Sequence, residues 1–149
     1  MSTAAPPLSS LRPATPEDLA FLVDLRRRTM VAHLAAMGIA PSEEQLVERV
    51  LVAYDCAHII LLAGRPAGLL KVVRDGDHWE LVQIQLAPEV QGKGLGAELL
   101  RRVVAEARGA GATLRLSVLK ANPARRLYER LGFAIVGEEE HAYSMQLGS

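Results

Sequence analysis

The stretch QGKGLGA, residues 91–97, places Gly92, Gly94 and Gly96 at every second position, just ahead of an apolar-periodic run. Glycine is costly inside helices and strands, so this pattern marks a place where backbone freedom or close approach is needed. Beyond it, Leu95, Leu99, Leu100, Val103, Val104 and Ala107 recur at helical spacing. A helix N-terminus carries unpaired N–H groups and partial positive charge. Without side chains in front of it, a phosphate can settle on the backbone. Lys93 would add a charge from the rim. The plainer reading is a tight strand-to-helix turn with no ligand. Two phosphate motifs fail. No Gly-x-x-x-x-Gly-Lys-Ser/Thr run is present. For the dinucleotide fingerprint the third glycine comes one residue early, and the next strand, TLRLSVLK, ends in Lys120 rather than an acid.

The elements that must position this loop follow from periodicity and caps. SLRPAT reads as a short strand. Thr15 precedes a helix with Pro16 at its first position and Glu17 and Asp18 in its first turn. That helix presents Leu19, Leu22, Val23 and Met30 on its apolar side and stops near Gly38. Ser42 and Gln45 fit a capping box for a second helix. AHIILLAG and PAGLLKVVRD read as strands joined by a tight turn, and GDHWELVQIQLAPE as a longer one. In that longer strand Glu80 shares a parity with Val82, Ile84 and Leu86, against Gln83 and Gln85. TLRLSVLK is a strand, NPARRLYERLG a short helix, and FAIVGEEEHAYSMQL two final strands. The order β-α-α-β-β-β-α-β-α-β-β predicts a mixed α/β fold. Its sheet should be mostly antiparallel around one central parallel β-α-β unit with a right-handed crossover.

The 149 residues suit one domain, expected over 11–149 behind a flexible arm at 1–10. Seventeen basic residues balance seventeen acidic ones. The neutral total removes the electrostatic case for nucleic acid or an anionic membrane. The lone Cys56 has no disulfide partner, and the four histidines show no metal-ligand spacing, so no metal is expected. The longest apolar run is far too short to span a bilayer, and MSTAAPPLSS lacks the features of a secretory signal. A cytoplasmic location is therefore expected. Arg26, Arg27 and Arg28 read as a solvated helix face, and Glu138, Glu139 and Glu140 as a polar turn.

The order QGKGLG, followed by NPARRLYERLGF, resembles the GCN5-related N-acetyltransferases, whose signature is Gln/Arg-x-x-Gly-x-Gly/Ala. The resemblance runs from about Leu11 to Leu147. It implies acetyl-coenzyme A as cosubstrate, with the pyrophosphate held by Gln91, Gly92, Lys93, Gly94, Leu95, Gly96 and Ala97. It also implies that the strands flanking the loop and helix splay, and that the pantetheine arm pairs with the backbones of Ile84 and Leu86 as an added strand would. The Ile84 N–H would point at the thioester carbonyl as oxyanion donor. Direct attack by a neutral amine needs a base for the ammonium and an acid for the leaving sulfur. Tyr128 matches the family's acid, with packing as its other role.

Glu80 stands eleven residues before Gln91, the interval of the base in the histone-acetylating branch, and its parity would face it to the cleft. The alternative is a solvated strand-end carboxylate beside His78. His78 and Tyr143 are the weaker candidates for the base. Asn122 matches a family asparagine that contacts coenzyme A or nearby backbone. The usual Asn-x-x-Ala-x-x-x-Tyr spacing is one residue short here, so a cap for the following helix is the other reading. Met30, His33 and Tyr143 are acceptor-side candidates by location. The expected acceptor is a small-molecule or peptide amine of unread identity, and a homodimer is compatible with the resemblance. Two rivals remain: an acyl-coenzyme A sensor without turnover, and a nucleotide-binding regulator.

Overall fold

The computed structural model describes residues 9–148. The strands are β1 Ser9–Pro13, β2 Ala57–Leu62, β3 Arg65–Asp75, β4 His78–Leu86, β5 Thr113–Leu119, β6 Ala134–Glu138 and β7 Ala142–Leu147. The helices are α1 Leu19–Ala35, α2 Glu43–Leu51, α3 Leu95–Gly109 and α4 Arg125–Arg130. The chain order is the one the sequence predicts. A seven-stranded sheet runs β1-β2-β3-β4-β5-β7-β6. Only β4 and β5, joined through α3, are parallel. Residues 9 and 10, expected in the arm, belong to β1. Ser9 and Ser10 already pair with Leu62 and Leu61, and residues 1–8 lie outside the described range.

Local chemistry explains the elements. Ser42 and Gln45 form the predicted capping box, with Gln45 N donating to Ser42 Oγ at 3.2 Å and Ser42 N to Gln45 Oε1 at 2.8 Å. Ala63 and Gly64 both take positive φ, the two-residue turn whose twist matches a hairpin, and join β2 to β3. Alternation along the strands sends neighbours to opposite layers. Ile59 and Leu69 pack with Leu22, Leu25, Leu46 and Val50 under α1 and α2. Ile60 and Leu70 pack with Leu99, Val103 and Leu114 under α3. Each fully buried aliphatic side chain contributes about 1.5–3 kcal/mol. Truncation of Leu114, which has no exposed surface, would cost about 2–5 kcal/mol through the cavity left behind.

Two irregularities of β4 create the cleft. It pairs with β5 only over residues 78–81 against 113–116, so residues 82–86 have no strand on that side. Against β3 the register slips: Lys71 faces Gln83 while Val72 faces Leu81, leaving Val82 as the extra residue of a bulge. The bulge inverts parity midway. Trp79 and Leu81 enter the α3 core, and Ile84 and Leu86 pack against that same core three and five residues after Leu81. Gln83 and Gln85 therefore share the opposite face with Glu80. This corrects the uniform alternation predicted for the strand, in which Glu80 went with Val82 and Ile84.

Candidate functional site

Two adjoining cavities open where β4 and β5 part. The larger, about 620 Å³, is walled by Gln91, Gly92, Gly94, Leu95, Gly96 and Ala97 on the loop and by Asn122, Leu127 and Tyr128 around α4. The smaller, about 210 Å³, is walled by Arg26, Met30 and Leu34 of α1, Arg49 of α2, Gln83 and Gln85 of β4, and Ser117 of β5. They share Met30, Ile84, Gln85, Asn122 and Tyr128. The two cavities therefore adjoin along a wall that includes Ile84 and Tyr128.

The loop is built to leave backbone exposed. Gly94 is the N-cap of α3 at φ +82°, and no side chain caps the helix. The first helical bond is Glu98 N to Gly94 O, 3.1 Å. The N–H groups of Leu95, Gly96 and Ala97 consequently have no partner within the helix. Gly92 also lies at φ +77°, and a Cβ on either glycine would meet no protein atom within 4 Å. The glycines thus serve conformation and open space together. At Gly96 a Cβ would come to 3.4 Å from Leu86 Cδ1, so that glycine also lets α3 lie close to β4. Gln91 Nε2 donates to the Leu86 carbonyl at 2.9 Å and fastens the loop to the end of β4. Lys93 is exposed in the same loop. Free N–H groups at a helix start, open space before them and an unpaired strand edge alongside fit a pyrophosphate with an amide-bearing arm.

Tyr128 is 7% exposed and packs edge-on to Phe133, with ring centroids 5.9 Å apart. Burial pushes its hydroxyl up to about 12, which keeps it protonated at neutral pH. Asn122 Oδ1 accepts from Ala124 N at 2.9 Å, the local turn that launches α4. The N-cap of α4 is Ala124 and no side chain caps it, so Asn122 makes a turn ahead of the helix rather than the predicted cap, and it also lines both cavities. Met30 and His33 reach the cleft from α1.

The other candidates lie elsewhere. Glu80 is exposed, has Arg115 as its neighbour on β5, and lines a separate depression with His78 and Thr113. It stands in the paired half of β4, beside Arg115 and short of the gap where β4 and β5 part. Tyr143 is absent from both cavity walls. Lys120 and Arg125 each lie 5.2 Å from the centroid of its ring. The ring packs at the margin of the α3 core, and the two cations add cation–π attraction.

Arg26, expected on a solvated helix face, lines the smaller cavity instead, as does Arg49, which no motif marks. The arginine triplet splits on folding, since consecutive helical residues point about 100° apart. Arg27 pairs with Asp24 and Glu43, and Arg28 with Asp24 and Glu89. Arg26 turns into the cleft, on the stripe that continues to Met30 and His33. That i, i+4, i+7 spacing was a usable signal. Lys71, wholly buried on β3, was also missed. Its Nζ donates to the Val50 and Val52 carbonyls at 2.5 and 2.6 Å, satisfying the C-terminal end of α2.

The sequence model of the acetyltransferase (GNAT) family matches residues 20–133. A search of curated proteins returns no relative of the chain. Among solved structures, PaiA N-acetyltransferase from Thermoplasma acidophilum in complex with coenzyme A superimposes with a TM-score of 0.72 at 19% identity, covering 95% of this chain and 99% of that one. The ribosomal-protein-S18-alanine N-acetyltransferase of Escherichia coli gives 0.67 at 24% identity over 93% and 92%. Spermidine N-acetyltransferase from Vibrio cholerae, in complex with coenzyme A and spermine, gives 0.67 at 23% over 94% and 95%.

Proposed function

Because the chain belongs to the GNAT family of acetyltransferases, we propose that its cleft passes an acetyl group from acetyl-coenzyme A directly to a primary amine in a ternary complex. The observation that carries this reading is the pair of cavities meeting at Ile84 and Tyr128. One cavity ends in free helix N–H groups, and the other opens under α1 and α2. The cosubstrate supplies the activated acetyl carbonyl. Residues 91–97 hold its pyrophosphate on backbone N–H groups, and the open edge of β4 at Ile84 and Leu86 pairs with the pantetheine amides. The Ile84 N–H, fixed by pairing of its strand with β3, stabilises negative charge developing on the carbonyl oxygen.

The amine must be neutral to attack. The new C–N bond forms as the C–S bond breaks, and the proton lost by nitrogen ends on sulfur. Tyr128, protonated and at the junction, donates to the departing sulfur. No carboxylate lines either cavity. Glu80 stands on the same face of β4 as Gln83 and Gln85, so its role as base runs through water rather than by contact. The substrates named for the relatives, a protein alanine and spermidine, differ in charge and size, and the fold alone does not choose between them. Release of coenzyme A thiol with an amine panel, against the rate without amine, tests the reading. Amine-dependent release with an acetylated product supports it. Tight acetyl-coenzyme A binding with no amine-dependent release would favour the sensor.

A further inference from the structure

The acceptor cavity is cationic and holds polar groups with nothing to bond. Arg26 and Arg49 both line it, and neither takes part in an ion pair among the described residues, although Arg27 and Arg28 beside them do. Burial and the nearness of Arg49 pull Arg26 down to about 10, still charged at neutral pH. Behind them Lys71 adds a third positive charge whose N–H groups are already turned to α2. Gln83 and Gln85 are each 7% exposed and line the same cavity. Gln83 Nε2 and Oε1 and Gln85 Oε1 are buried without a partner. Buried amides are almost always hydrogen-bonded, so these point to a ligand. Two uncompensated guanidiniums ask for an anion, and their planar forks suit a carboxylate.

We infer that the acceptor is a small amine bearing a carboxylate, an amino acid by chemical class, with Arg26 and Arg49 holding the carboxylate and Gln83 and Gln85 positioning the rest of the molecule toward Ile84. This rests on the acetyl-transfer reading above. A polyamine meets two cations and no acid in the same space, and is repelled.

The test is thiol release by the intact protein with acetyl-coenzyme A and each protein amino acid, every one beside its carboxamide, with spermidine as the cationic control. At least one amino acid should be acetylated, and its carboxamide should have a kcat/KM lower by roughly tenfold or more. Arg49→Gln, at an exposed position that does not threaten folding, should raise KM for that amino acid roughly tenfold to a hundredfold. The rise should fall on KM rather than kcat, with partial recovery in Arg49→Lys. Acetylation of spermidine or of carboxamides as readily as of amino acids overturns the inference and leaves acetyl transfer standing. So does acetylation of no amino acid by protein that binds acetyl-coenzyme A, or an unchanged KM in Arg49→Gln. Failure to bind acetyl-coenzyme A at all removes the transfer reading and this inference with it.

Discussion

Gln91 Nε2 donates to the Leu86 carbonyl at 2.9 Å, so the first residue of the glycine loop is fastened to the last residue of β4. That bond sets the loop's free N–H groups beside the strand's free edge. One extended ligand can then use both. Replacing Gln91 by alanine removes an exposed hydrogen bond worth about 1 kcal/mol. Acetyl-coenzyme A affinity should fall several-fold, with the thermal midpoint nearly unchanged. Calorimetry beside a melting curve checks this. Equal affinity would mean that the loop holds its shape without the tie.

Gly94→Val should act more strongly. At φ +82° any side chain is strained, a β-branched one most, and the new methyls would fill the space before the helix N-terminus. Acetyl-coenzyme A binding should drop by roughly tenfold or more, since left-handed backbone costs an L-residue about 1–2 kcal/mol even before ligand contact is lost. Unchanged affinity would remove the phosphate role of the loop.

Tyr128→Phe keeps the buried ring and its edge contact with Phe133. It should lower kcat by roughly a hundredfold, the lower range for a positioned acid, and leave acetyl-coenzyme A affinity within about twofold. Steady-state kinetics beside calorimetry separate the two. Equal turnover would leave Tyr128 as a packing residue.

Glu80→Gln tests the water-mediated base. The acid limb of the pH–rate profile should change and the rate near neutrality should fall. A superimposable profile would retire Glu80, which lines neither of the two cavities.

Lys71 gives a prediction about stability. Burial, then repulsion from Arg49 and Arg26, pulls its ammonium down to about 8 from 10.5. Below about 8 the folded and unfolded chains both hold the proton, and the cost of burying the charge is complete. Between about 8 and 10.5 the unfolded chain keeps a proton that the folded protein has lost, so stability rises with pH. The neutral amine retains two N–H donors, one for each of its two carbonyl acceptors. Denaturant unfolding across this window should show wild type gaining on Lys71→Met as pH rises. A constant difference would contradict the depressed pKa.

The glycine loop and the element order were legible because each rests on local chemistry: positive φ, caps, and periods of two and 3.6. The cleft's cation pair was not, because Arg26 hides in a run of three identical residues and Arg49 sits on a helix remote in sequence. Glu80 was misplaced for a specific reason. WELVQIQL is apolar at Trp79 and Leu81 on one parity and at Val82, Ile84 and Leu86 on the other, and the Leu81–Val82 doublet falls where Val82 bulges out and Lys71 comes to face Gln83. Tyr143 was an acceptor-side candidate, whereas its ring packs at the α3 core beside Lys120 and Arg125. Register and cation–π contacts depend on partners many residues away, which one strand's pattern does not encode.

The most direct measurement is titration calorimetry of the intact protein with acetyl-coenzyme A, beside NAD and ATP. Binding of acetyl-coenzyme A, with little or none of the other two, and its loss in Gly94→Val is the result predicted here. Absence of binding by folded protein, or equal binding of all three, would contradict a pyrophosphate site that continues into a pantetheine groove along β4.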